Sequence, residues 1–286
     1  MFERIGTGWN LVQETWGVLW DDKKLLVFPL LSMLACLAVL ASFAVPLWGS
    51  GYFDTLMDEQ NPGNDVLGYV LLFAYYFANY FVIIFFNSAL VACAIMRFEG
   101  QEPTLGDGIR AAGARLPQIL AWSLVSASVG VILKVLESRL EYVGQIVAGL
   151  LGMAWSVTTY FVVPVLVVEK LGPIEATKRS LEILRKRWGE ALAGYVGVEL
   201  FAWGIALVVL IPCILAAVLG GMGIAQGNML LAVLGFGSLV AILLIASAVI
   251  AALHGILLDA VYLYAVRGEV PSQFPKSTLE GAFGSK

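Results

Sequence analysis

Five polar residues interrupt otherwise apolar stretches, and any chemistry in this chain would have to be sought there. Glu199, His254 and Asp259 can carry charge; Asn79 and Asn87 cannot. An ionisable group costs about 2.5–3.5 kcal/mol at the centre of a membrane helix on insertion scales, so each one marks either a path for a proton, ion or solute or a hydrogen bond that fixes helix packing. Glu199 lies roughly 13 Å past Glu190 along a regular helix, and Asp259 roughly 12 Å before Arg267. That spacing predicts a position near mid-depth for Glu199. His254 and Asp259 are separated by about 140° around a helix, too far apart to act alone as a proton wire. Whether Glu199 meets His254 or Asn87 on another helix is left open by spacing.

Enzymatic constellations are not found. A single histidine excludes H-E-x-x-H, there is no G-x-S-x-G elbow or G-x-x-x-x-G-K-[ST] loop, and Asp259 has no second intramembrane Asp to form a dyad. Cys36, Cys93 and Cys213 sit singly in apolar runs, without a metal-binding spacing. The expectation is a non-enzymatic protein with no cofactor and no metal.

The elements that hold these residues follow from composition. Of 286 residues, 60% are hydrophobic and 13% charged, with a mean hydropathy of +0.87. Soluble domains are nearer 25% charged. A net charge of −4 excludes a nucleic-acid partner, which calls for a basic surface. Six runs can cross a hydrocarbon core of about 30 Å, at 25–48, 66–96, 118–136, 143–168, 191–220 and 229–266. The second and sixth are too long for that core, so they either project beyond it or break, with Gly235 or Gly255 as break points. Gly220, Gly221, Gly223 and Gly227, with Gln226 and Asn228, read as a flexible outer loop. Ala148-x-x-x-Gly152, Ala248-x-x-x-Ala252 and Ala251-x-x-x-Gly255 would permit close helix approach.

All but two of the 17 lysines and arginines fall on one side of these spans, the exceptions being Lys134 and Arg139. The first loop of the other side carries Asp54, Asp58, Glu59 and Asp65. The positive-inside rule then puts both termini in the cytoplasm. Long apolar runs without an early cleavage site imply that Met1 onward is retained.

A threefold pattern underlies the spans. A short amphipathic segment precedes each pair, with stripes at Ile5, Trp9, Val12, Trp16, Leu19 and Trp20, at Leu105, Ile109, Ala112 and Leu116, and at Ile174, Thr177, Leu181, Leu184 and Trp188. In the second, Thr104 and Asp107 resemble a capping box. In the third, Glu175 to Arg179 and Glu182 to Lys186 have the spacing of helical ion pairs. The exits from the even-numbered spans also resemble each other, as Arg97-Phe98-Glu99-Gly100, Glu169-Lys170-Leu171-Gly172 and Arg267-Gly268-Glu269. The expected fold is therefore all-α and integral to the membrane: six transmembrane helices as three hairpins, each preceded by a cytoplasmic amphipathic interfacial helix. It forms a single multi-pass domain over 1–286, with sub-repeats at about 1–97, 98–169 and 170–267 and a tail at 268–286.

The opening Met1-Phe2-Glu3-Arg4-Ile5-Gly6 and Asp22-Lys23-Lys24-Leu25-Leu26-Val27-Phe28-Pro29-Leu30 resemble the start of an uncharacterised prokaryotic family of six-span membrane proteins. Phe86-Asn87-Ser88-Ala89-Leu90-Val91, Thr159-Tyr160-Phe161-Val162-Val163-Pro164-Val165 and Lys178-Arg179-Ser180-Leu181 extend that resemblance along the chain. More distantly, the Arg179-Ser180 segment is similar to membrane domains found beside glycerophosphodiester phosphodiesterases. The resemblance implies six spans in a prokaryotic inner membrane and carries over no catalytic residue.

Two functions fit these residues. In the first, a membrane-organising or accessory protein contacts lipid, a second copy or another membrane protein through Trp9, Trp16, Trp20, Lys178, Arg179, Arg185, Lys186, Arg187 and Trp188. In the alternative, a small channel or transporter has a polar cavity lined by Glu199, Asn87, His254 and Asp259, with Asn79 nearby.

Overall fold

Backbone amides in hydrocarbon have no water to bond, so apolar runs of this length satisfy themselves as helices. The computed structural model describes residues 2–51, 66–139, 141–186 and 188–268, and every regular element among them is helical. The order is α1 (Phe2–Asp21), a 3-10 turn (Lys23–Leu26), α2 (Val27–Gly49), α3 (Val66–Phe98), α4 (Leu105–Gly113), α5 (Leu116–Arg139), α6 (Glu141–Thr158), α7 (Val162–Val168), α8 (Pro173–Lys186), α9 (Trp188–Ala225) and α10 (Met229–Arg267). Six stretches among the described residues are long and apolar enough to span a membrane: Lys23–Gly49, Val66–Phe98, Leu116–Glu137, Gly144–Val168, Phe201–Ala225 and Met229–Arg267. The chain is a multi-pass helical membrane protein.

Proximity divides it into two units, neither a run of consecutive sequence. One comprises Met1–Leu30, Cys93–Leu105 and Arg187–Lys286; the other comprises Leu31–Ala92 and Gly106–Lys186.

The first unit is organised by α9 and α10, which pack against each other across the short turn at Gln226, Gly227 and Asn228. Gly227 takes a left-handed φ of 66°, and the Asn228 side chain caps α10 by accepting the Leu231 N–H at 3.2 Å. The expected glycine loop is instead helix: Gly220, Gly221 and Gly223 lie inside α9. Their role is close approach, since a Cβ on Gly235 would overlap the backbone of Gly220, and one on Gly223 the backbone of Ala232. Between 201 and 240 the buried positions are Ala216, Gly220, Gly223, Ala232 and Gly235, all small. Neither Gly235 nor Gly255 breaks α10, which runs unbroken for 39 residues, or roughly 58 Å, and so exceeds the core. The Ala248 and Ala252 pair is buried, as close packing requires.

Across the far ends of this hairpin lies α1, in contact with both α9 and α10. Val12, Thr15, Val18 and Leu19, spaced at three and four residues, are its buried face, and the Trp16 ring meets Phe201 at 5.6 Å.

In the second unit α5 packs on α6, where Trp122 stacks on Trp155 at 5.6 Å and Gly152 leaves room for Leu133. Gly130 similarly accommodates the Tyr80 and Tyr76 rings of α3, and Phe43 of α2 meets Tyr75 edge-on at 5.6 Å. The break expected in the longest spans occurs instead in the fourth crossing, between α6 and α7. Pro164 has no N–H for the Tyr160 carbonyl, and its ring crowds that carbonyl. The chain turns at Thr159–Phe161, with Val162 N–H bonded to Thr159 O at 3.0 Å. Pro46 and Pro212 have the same defect, yet α2 and α9 continue through them.

The three similar exits share a conformation as well as a composition. Gly100, Lys170 and Gly268 each adopt positive φ, at 82°, 60° and 69°. This left-handed residue terminates a helix cheaply when it is glycine. Lys170 carries a side chain there and is the strained member of the set.

Candidate functional site

Two clusters of polar groups stand out, one in each unit. In the first unit, α9 supplies Glu199, and α10 supplies His254 and Asp259. Glu199 Oε1 lies 3.7 Å from His254 Nε2, both side chains being partly exposed. This contact joins the hairpin helices at matched distances from the turn, roughly 40 Å along each. That distance exceeds the roughly 30 Å of a hydrocarbon core, while the apolar stretch of α10 runs past His254 to Arg267.

Asp259, farther from the turn, is fully buried, and neither carboxyl oxygen has a hydrogen-bond partner. Its environment is the C-terminal end of α10, where Ile256, Leu257, Ala260, Val261 and Tyr262 are buried with it. The two asparagines belong to the second unit. Asn79 is turned back on its own helix, donating to the Tyr75 carbonyl at 2.9 Å, while Asn87 is exposed. The structure thus joins Glu199 to His254, and places Asn79 and Asn87 in the other unit.

The second cluster surrounds α7. Phe161 N–H, deprived of a helical acceptor by the break, donates to the buried Ser180 hydroxyl of α8 at 3.0 Å. At the other end of α7, Arg115 Nε donates to Val167 O at 3.3 Å. Arg179 Nε reaches both oxygens of Glu169, at 3.1 and 3.0 Å, and its other nitrogen Nη1 lies 3.4 Å from Glu182. The Glu169 carboxylate pushes the Arg179 guanidinium above its ordinary range, with burial acting the other way. The expected pairing of Glu175 with Arg179 is not the one formed: Glu175 folds over Gly172, and Arg179 takes Glu169 and Glu182. Sequence spacing pointed to a local ladder, but the bidentate partner lies ten residues back.

The inward face of α8 is Ala176, Ser180, Ile183 and Leu184, rotated from the expected stripe. Ile174 of that stripe is 68% exposed, while Thr177 and Leu181 are half-buried. Lys178 and Arg185 are exposed. In α4 the buried residues are Gly108 and Ala112, and Ile109 faces outward. In the first unit, Trp20 is 62% exposed, stacks on Trp16 at 6.0 Å and carries Lys23 Nζ 4.4 Å from its ring centre. Trp9, Lys186, Arg187 and Trp188 lie outside the residues whose side chains are described.

The pairings that bind the segments were missed by residue type but were present in the repeated exits. Glu99 from the second span's exit meets Arg267 of the sixth at 2.9 Å, as Glu169 of the fourth meets Arg179.

The profile of a family of unknown function, DUF6159, matches residues 66–272. The chain belongs to this family. The matched region of this DUF6159 member begins with α3 and includes both polar clusters. No curated protein and no solved structure matches it.

Proposed function

We propose that this protein is a non-enzymatic membrane-organising or accessory protein, held in a prokaryotic inner membrane with both termini cytoplasmic. Its spans act as three hairpins, and α1, α4 and α8 lie at the cytoplasmic interface, where they contact lipid or a partner that is a second copy or another membrane protein. The carrying observation is the two-sidedness of α1 and α8. Each buries one face within its own unit and leaves aromatic or aliphatic groups beside cations exposed, Trp20 with Lys23 and Ile174 with Lys178 and Arg185. Such a pattern suits the headgroup plane, where an apolar edge sits in the acyl boundary and ammonium or guanidinium groups face phosphate. A lipid-facing accessory role also suits the distant likeness to membrane domains beside glycerophosphodiester phosphodiesterases.

The interrupted fourth crossing favours a second reading, a small channel or transporter, because broken helices line solute sites in many transporters. Glu199 and His254, 3.7 Å apart across α9 and α10, would be its polar lining.

Reconstitution separates the two. Under the accessory reading, brominated lipids quench Trp20, charge reversal at Lys178 and Arg185 weakens binding to anionic lipid, and Glu199→Gln leaves solute flux unchanged. Flux through the wild-type protein that Glu199→Gln abolishes would overturn it.

A further inference from the structure

The segment that leaves the fourth crossing carries more cations than it pairs. Its carboxylates up to Arg185 are Glu169, Glu175 and Glu182. Arg179 takes two of them, Glu169 through both oxygens at 3.1 and 3.0 Å and Glu182 at 3.4 Å. Glu175 is turned onto Gly172. Among the described residues, Lys170, Lys178 and Arg185 are exposed and form no ion pair.

The α8 cations share a side. Successive residues turn by about 100°, so Ile174, Lys178, Leu181 and Arg185 fall within about 60° of one another. That stripe faces away from the buried Ala176, Ser180 and Ile183, while Glu175 and Glu182 stand about 80° round the helix from it. Lys170 lies two residues beyond the apolar stretch Gly144–Val168, and the Glu169–Arg179 pair holds this exit beside α8. Its left-handed backbone would cost less as glycine, the residue at the two matching exits, Gly100 and Gly268. Strain of this kind collects at functional sites.

We propose that Lys170 and the α8 stripe bind the phosphate of anionic phospholipid in preference to zwitterionic lipid. This rests on the accessory reading, in which α8 lies at the cytoplasmic interface. Ile174 and Leu181 enter the acyl boundary, and the ammonium and guanidinium groups donate to phosphate oxygens. Arg179 is the positioning residue. It holds Glu169, next to Lys170, and Glu182, within about one turn of Lys178 and Arg185, away from those cations. The stripe therefore stays cationic although carboxylates are interleaved with it.

The test places an environment-sensitive fluorophore on Ile174→Cys in the full-length protein, with Cys36, Cys93 and Cys213 replaced by Ala. Nanodiscs hold equal amounts of phosphatidylglycerol and phosphatidylcholine, with one or the other brominated. Quenching by either lipid reports that α8 lies at the interface; no quenching would sink the accessory reading and this proposal with it. Excess quenching by phosphatidylglycerol reports selection, expected at about five-fold or more, the equivalent of one basic residue beside an anionic surface. Lys170→Gly should lower the preference while raising the melting temperature, opposite signs that a merely structural lysine would not give. Arg179→Gln should lower it more than Lys178→Gln does, because it also releases two carboxylates, and R179Q/E169Q/E182Q should restore it. Three results would overturn the proposal alone: equal quenching by the two lipids, which would leave the stripe to an acidic protein partner; an unchanged preference in Lys170→Gly; or a folded triple variant that does not recover it.

Discussion

The Ser180 hydroxyl accepts the Phe161 backbone N–H at 3.0 Å, and both residues are fully buried. The bond replaces the one a continuous helix would have made, and it ties the short helix α7 to α8. A buried amide without an acceptor is among the more costly defects a fold can carry. The fourth crossing can therefore bend at Thr159–Phe161 because a side chain from the next element completes it.

Ser180→Ala should destabilise the protein by about 1–3 kcal/mol, the cost of an orphaned buried donor. Thermal unfolding in detergent would register the loss, and Ser180→Thr should recover part of it by restoring the hydroxyl. An unchanged melting temperature for the alanine variant would mean that Phe161 N–H finds another acceptor.

Lys170 is the one non-glycine residue with positive φ among those described. Lys170→Gly should raise stability by about 1 kcal/mol by relieving the left-handed strain. Lys170→Val, β-branched at the same site, should lower it. The pair of melting temperatures gives the sign directly.

Gly235→Ala should force α9 and α10 apart, because its Cβ has no room beside Gly220. Overpacking of this kind costs about 1–3 kcal/mol. Gly221→Ala is the control, with open space around its Cβ. Cysteine pairs placed across the hairpin should crosslink more slowly in the first variant and normally in the second.

Glu199 and His254 should couple weakly. A double-mutant cycle with Glu199→Gln and His254→Gln should return less than about 1 kcal/mol, since both groups are partly exposed. Single cysteines at 199 and 254, in a background without Cys36, Cys93 and Cys213, should label from one face of the membrane only. Labelling from both faces would indicate an aqueous path.

The six spans were legible because a continuous apolar run imposes helix on any backbone in lipid. The left-handed exits were foreshadowed by Gly100 and Gly268. The break before Pro164 was not, because Pro46 and Pro212 offer the same local chemistry without breaking their helices. What differs is an external acceptor, Ser180, and sequence does not reveal a partner across space. Glu199 and His254 meet because a short turn fixes the hairpin register, yet the glycines around that turn read as loop rather than as contact surface. Glycine serves both purposes, and composition alone cannot separate them.

The pinning of α7 bears on how the protein is made. Alone, α6 measures about 27 Å, enough to enter the bilayer as a provisional segment. Its continuation through Phe161 needs a hydroxyl that the ribosome adds 19 residues later, a delay of about 1–4 s at ordinary elongation rates. The fourth crossing thus reaches its final shape only after the following helix has emerged, and synthesis paused between Phe161 and Ser180 would leave an incomplete span in the hands of the insertion machinery.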